Sequence, residues 1–270
     1  MLKIVRVTSR LDRKEFTDLP ESLYRDYPLW VPPFSHEMKA LLKSRGSQLL
    51  ANGPHVFFIA KDDNEVKGRI AVGIEQVMNN EKSVKHAYFT LFESVDDREV
   101  AEALLRTAES WARNKGMNYL KGPVSPTNGD DYRGLLVDNF DDPPAVLMPY
   151  NPPYYASFFD SFEIYLKYLG FQYDLANVIS EREIKFTEIA MDRYKYRVEE
   201  ANFRRIREVS ADLQKIMEES IPNWEEDILP PTYDELYDMA KTLKLVADRR
   251  MVIIARSGER PIGFFVALPD

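Results

Sequence analysis

The run Val56-Phe57-Phe58-Ile59-Ala60-Lys61, its polar tip Asp62 to Glu65, and the run Val66-Lys67-Gly68-Arg69-Ile70-Ala71-Val72 decide how this chain is read. Two apolar stretches around a short polar tip are the pattern of a β-hairpin. Adding 195 to each number gives Met251-Val252-Ile253-Ile254-Ala255-Arg256, a tip from Ser257 to Arg260, and Pro261-Ile262-Gly263-Phe264-Phe265-Val266-Ala267. Strand lengths, tip length and the glycine coincide. Upstream, Pro32-Pro33 with Glu37-Met38 has a counterpart in Pro230-Pro231 with Glu235-Leu236, and Ile4-Val5-Arg6-Val7 in Lys195-Tyr196-Arg197-Val198. The plainer alternative is coincidence between two ordinary hairpins, because apolar-charge-turn-apolar patterns are common.

Around the first hairpin the pattern predicts a strand at residues 3–8 and helices at about 12–25 and 35–44. After it come a strand from Lys85 to Glu93, a helix from Asp97 to Lys115, and a strand from Tyr119 to Val124. In the helix, Val100, Ala103, Leu104, Thr107, Ala108 and Trp111 recur at helical spacing, and Lys115-Gly116 ends it. A long irregular stretch, an aromatic-rich helix to Leu169 and a strand around Gln172 to Ile179 complete the first part. The alternating charges of residues 181–195 read as a linker. The second part repeats strand, helix (Ser210 to Ser220), Pro-Pro, helix (Thr232 to Leu243) and hairpin, and stops at Asp270. The expected fold class is α/β (α+β), a mixed and mostly antiparallel sheet flanked by helices, with domains at 1–180 and 196–270. The second reads as a partial copy in a truncated chain.

At 270 residues and 44% hydrophobic content the chain can bury real cores. Cysteine is absent, so disulfides and thiolate chemistry are excluded, and His36, His55 and His86 lack metal-ligand spacing; no metal is expected. The net charge of −8, without a basic block, argues against nucleic acid as a partner. No apolar run approaches the roughly 18 to 20 residues needed to cross a bilayer, and the charged start Met1-Leu2-Lys3-Ile4-Val5-Arg6 is unlike a signal peptide. A soluble, cytoplasmic protein with no membrane partner is expected. The open edge of the partial second sheet offers a route to a homo-oligomer.

The order of elements, the two glycine-bearing hairpins and Leu169-Gly170-Phe171 resemble the GNAT acetyltransferase superfamily. Trp30-Val31-Pro32-Pro33, Gly134-Leu135-Leu136-Val137-Asp138-Asn139-Phe140-Asp141 and Met148-Pro149-Tyr150-Asn151-Pro152-Pro153-Tyr154-Tyr155 resemble a group of bacterial tandem-GNAT proteins. The resemblance implies acyl transfer from acetyl-CoA or another acyl-CoA to a small-molecule amine. It also implies a glycine-rich loop for the CoA pyrophosphate at the helix after the third long strand, where backbone amides and the helix dipole favour an anion. This chain has Glu93-Ser94-Val95-Asp96-Asp97-Arg98-Glu99-Val100 there, with no glycine and four carboxylates. Asp96 or Asp97 fits a helix N-cap better than a phosphate seat. The first domain therefore reads as degenerate for CoA, and no cofactor-binding residue is assigned.

The same resemblance points to Glu93 as the carboxylate base. Taken alone, a glutamate at a strand end reads more simply as a solvated terminus. The tyrosine acid of the family falls on Leu166, between Tyr165 and Tyr168; an enzyme reading of the first domain uses Glu93 with Tyr154. The long stretch from Thr127 to Tyr155 is the expected substrate-facing surface, with Asn128, Asp130, Tyr150, Asn151 and Tyr155 as polar and stacking groups, the plainer alternative being that its Tyr and Pro residues pack it onto the sheet. A non-catalytic substrate-recognition or scaffold module is the alternative function.

Overall fold

The computed structural model describes the chain except residues 34, 45–46, 127–131, 146–147, 165, 172–178, 222–228 and 268–270. Asn128, Asp130, most of the strand expected around Gln172 to Ile179, and Tyr165 lie outside the described residues. The chain divides into two compact units, Met1–Glu163 and Ile164–Asp270.

In the first unit, β1 (Lys3–Arg6), β2 (His55–Asp62), β3 (Glu65–Gly73), β4 (His86–Ser94) and β5 (Tyr119–Lys121) form one sheet in that order. Every neighbouring pair is antiparallel except β4 with β5. Helices α1 (Arg10–Leu23), α2 (Ser35–Leu41), α3 (Gln48–Ala51), α4 (Gln76–Lys82), α5 (Arg98–Asn114) and α6 (Tyr155–Phe158) complete it. The expected class, a mixed and mostly antiparallel sheet flanked by helices, is the observed one.

Strand alternation divides the work of the two faces. Phe57 and Lys61 of β2 face α1, where Phe57 meets Phe16 edge-on at 5.4 Å and Lys61 pairs with Glu15 at 2.6 Å. Val56, Ala60, Ile70 and Val72 turn the other way and form a core with Val100, Ala101, Leu104, Leu105 and Ala108 of α5. The helix is seated close to the sheet because Gly68 has no side chain: a Cβ there would lie 2.7 Å from Leu104 Cδ1. The buried face of α5 includes Ala101, Leu105 and Ala112, which the periodicity had left out; Ala103 and Thr107 are half-buried, and Trp111, as expected, packs against the core.

The second unit contains α7 (Glu181–Tyr194), β6 (Tyr196–Glu200), α8 (Ile206–Ser220), α9 (Tyr233–Val246), β7 (Val252–Ser257) and β8 (Arg260–Val266). Its sheet runs β6-β7-β8 and is antiparallel throughout. Phe203, Val209, Leu213, Ile216, Leu236, Val252 and Ile254 form its core.

The hairpin registers agree under the shift of 195. Phe58↔Ile70, Ala60↔Gly68 and Asp62↔Glu65 become Ile253↔Phe265, Ala255↔Gly263 and Ser257↔Arg260, with register shifts at Ala60/Lys61 and at Ala255/Arg256. The strand-to-helix ion pair of Lys61 with Glu15 has its like in Arg256 with Asp212. At the preceding strand the correspondence differs from the sequence reading: Val198 faces Ala255 as Ile4 faces Ala60, so Val198 matches Ile4 and not Val7.

Two expectations are corrected. The tract read as a linker is helix α7, started by a capping box in which Ser180 and Glu183 exchange bonds with each other's backbone N–H. The aromatic-rich helix expected up to Leu169 is a single turn, Tyr155–Phe158. Aromatic packing supplies the order there instead, since Phe159 stacks on Phe89 at 6.0 Å and meets Phe162 edge-on.

Candidate active site

The site grows from an irregularity in β4. Leu91 has a positive φ of 53°, and the β3–β4 register changes between Ala71↔Thr90 and Arg69↔Glu93. One extra residue in a strand reverses the alternation beyond it. Phe92 thereby joins Phe89 in the α5 core, and Glu93 is delivered to the α1 side opposite Arg69.

There Glu93 is partly buried, with 14% of its side chain exposed, which corrects its reading as a solvated strand end. Its Oε2 accepts the hydroxyl of Tyr24 from the end of α1 at 2.8 Å and that of Tyr155 from α6 at 2.7 Å. Its Oε1 faces Arg69 Nη2 at 3.6 Å. Burial raises the Glu93 pKa above the ordinary carboxylate value, and the Arg69 charge and both hydroxyl bonds oppose that rise. Burial and the neighbouring carboxylate push Tyr24 and Tyr155 well above 10, so both hydroxyls remain protonated donors.

Tyr155 also accepts the Ser94 backbone N–H at 2.9 Å, and Tyr154 donates to the Ser94 carbonyl at 3.0 Å. Beyond Lys121, where β5 ends, two tyrosines thus serve backbone groups of the β4 edge. Around Glu93 lies a half-buried aromatic rim. Trp30 stacks on Tyr24 at 4.6 Å, Tyr27 meets Tyr24 and Tyr150 edge-on, and the Tyr154 ring lies 5.2 Å from that of Tyr155. Burial raises the Tyr154 pKa, with further contributions from Tyr27, Asp96 and Glu93. Exposed Asp96 acts electrostatically on Tyr27 and Tyr154 of this rim, while Glu93 faces the Arg69 cation.

Of the residues singled out in the sequence, the structure brings together Glu93, Tyr150, Tyr154 and Tyr155. Asn151 is buried and spent on the loop itself: it accepts from Leu136 N–H at 2.8 Å and donates to the Leu136 carbonyl at 3.2 Å. It ties two of the motif phrases to each other, with no polar group turned outward. Leu166, the family's tyrosine position, is exposed. Sequence reasoning missed Tyr24, Tyr27 and Arg69; the available signal was an arginine directly against the apolar run Ile70-Ala71-Val72 of β3.

The N terminus of α5 is held by the chain itself. Asp97 is its N-cap and accepts the Glu99 N–H at 2.9 Å, so the expected cap is present. Among the described residues there is no cluster of metal-ligating side chains, and no helix is long and apolar enough to cross a membrane.

No family model matches the chain. It is 28% identical over 273 residues to protein YghO of Escherichia coli K12, covering 96% of this chain and 66% of that protein. It is 27% identical over 288 residues to the bacterial ceramide synthase of Caulobacter vibrioides, covering 100% of this chain and 70% of that one. The chain thus spans about two thirds of the length of these relatives. Similar solved structures are acetyltransferases. One is an aminoglycoside acetyltransferase from an uncultured soil metagenomic sample in complex with sisomicin, with 17% identity, 64% of this chain and 96% of that one covered, and a TM-score of 0.37. Another is a GNAT-family acetyltransferase from Staphylococcus aureus Mu50, with 10% identity, 46% and 74% covered, and a TM-score of 0.34.

Proposed function

We propose that the chain belongs to an acyl-CoA-dependent N-acyltransferase and that its first unit handles the acceptor amine. The observation that carries this reading is the partly buried Glu93 carboxylate, held by Tyr24, Tyr155 and Arg69 beside an aromatic rim that carries Asp96. An ammonium is attracted by carboxylates and by aromatic faces. Amide formation then needs two protons removed from it: with the first gone the nitrogen attacks the thioester carbonyl carbon, the carbonyl re-forms as the C–S bond breaks, and the nitrogen's second proton passes through solvent to the leaving CoA thiolate. Glu93 takes the first amine proton, and burial, by raising its pKa, makes it a stronger base than an ordinary carboxylate. Similarity to a ceramide synthase supports a long-chain amino alcohol as the acceptor, because a ceramide is the amide of one.

The α5 terminus favours recognition of the amine over possession of CoA by this unit, since Asp97 already caps it. The second unit we read as a repeat of the first as far as its hairpin, a reading supported by the shared registers and the paired strand-to-helix ion pairs. The chain incubated with palmitoyl-CoA and sphinganine is expected to yield N-palmitoyl sphinganine by mass spectrometry; its absence, with no binding of sphinganine, would count against the proposal. Thermal shift with acetyl-CoA reads the donor side: saturable stabilisation of the parent that is unchanged in Asp97→Ala is expected if CoA sits away from the α5 loop, and loss of that stabilisation in the variant would overturn the degenerate reading of the loop.

A further inference from the structure

Arg69 is the least accessible cation near Glu93, with 3% of its side chain exposed, and how it is held follows from a residue 49 positions earlier. Pro20 lies inside α1. Proline has no N–H, so in a helix it leaves the carbonyl four residues back without its donor. That carbonyl belongs to Phe16, and Arg69 Nη1 donates to it at 2.7 Å. The Phe16 ring also lies under the guanidinium, 5.0 Å from Cζ to centroid. The other end of the fork, Nη2, is left 3.6 Å from Glu93 Oε1, and Nε is buried with no partner.

We propose that Arg69 is a positioning residue for Glu93, aimed by the Phe16 carbonyl that Pro20 frees. A planar guanidinium anchored at one nitrogen has its remaining donors fixed in direction, which a lysine ammonium cannot reproduce. The arrangement is costly to leave incomplete, since a buried cation needs both its partners. It therefore couples the backbone of α1 to the state of a carboxylate on β4. The groups facing Glu93 are Tyr24 of α1, Arg69 of β3 and Tyr155 of α6, with Tyr154 and Asp96 nearby, so Arg69 is the one cation among them. The second unit has Phe264 at the place of Arg69, so the device occurs in the first hairpin and not in its counterpart.

The consequence for catalysis rests on the proposed role of Glu93, but the test does not. Glutamate labelled with 13C at Cδ is titrated by NMR in the whole chain, with Glu93→Gln identifying the resonance. Arg69→Gln is expected to raise the Glu93 midpoint by about one unit or more, the usual size of losing an opposite charge at this range. Pro20→Ala restores a helical N–H that competes for the Phe16 carbonyl; it is expected to raise the thermal midpoint of the protein while moving the Glu93 midpoint up by a smaller amount. A merely structural role for Pro20 would give the first effect without the second. Should Arg69→Gln fail to fold, Pro20→Ala decides alone: a Glu93 midpoint unchanged from the parent in that variant overturns the proposal, whatever acyl transfer is or is not observed.

Discussion

Glu93 is a carboxylate whose surroundings pull in two directions. Burial favours the protonated form, while Arg69, Tyr155 and Tyr24 favour the charged one, with burial prevailing. A carboxylate with a folded-state pKa above its unfolded value binds more protons in the native state. The contribution of Glu93 to stability is therefore fully present below the unfolded value of about 4.5 and is lost as pH rises through the raised folded value. Urea unfolding across pH is expected to show the stability of the parent relative to Glu93→Gln falling as pH rises; a difference independent of pH would contradict the raised value. Tyr155→Phe should cost about 1–3 kcal/mol in the same assay, because it leaves both Glu93 and the Ser94 N–H short of a partner. None of this was legible locally. A glutamate closing an apolar strand is ordinarily solvated; what buries Glu93 is a bulge at Leu91 and a tyrosine 69 residues away.

Elements, by contrast, were read well where their signal was periodic. The two hairpins and α5 stood out because alternation and a 3.6-residue period are written into adjacent residues. The tract read as a linker is α7, whose Ser180–Glu183 capping box is a local signal that the reading passed over, and the expected aromatic helix was lost to ring packing that has no period. Position-matched glycines test how the elements pack. Gly68 lies under Leu104 and Val100, whereas among the described residues a Cβ at Gly263 would meet nothing within 4 Å. Gly68→Val is expected to destabilise by roughly 1–3 kcal/mol through overpacking. Gly263→Val should change the thermal midpoint little; equal losses at both sites would mean that the second sheet face is covered as the first is.

For the molecule as a whole, repetition and asymmetry have to be explained together. Registers, bulges and a strand-to-helix ion pair recur in both units, yet Arg69 becomes Phe264, and Ile70, fully buried, becomes Phe265 with 54% exposure. Shared scaffold with one elaborated site is what an amine-handling unit beside a divergent repeat would look like. The likeness of the two hairpins could be read from the sequence because hairpins are local; the surroundings of Glu93 could not, since they depend on three elements meeting. The claim at the centre is that Glu93 takes the proton of the acceptor amine. It is tested most directly by comparing parent and Glu93→Gln for sphinganine-dependent release of CoA from palmitoyl-CoA, followed with a thiol reagent across pH. The expected result is a rate lowered by about a hundredfold or more in Glu93→Gln, with sphinganine KM little changed. A variant as fast as the parent, with the same pH profile, would contradict it.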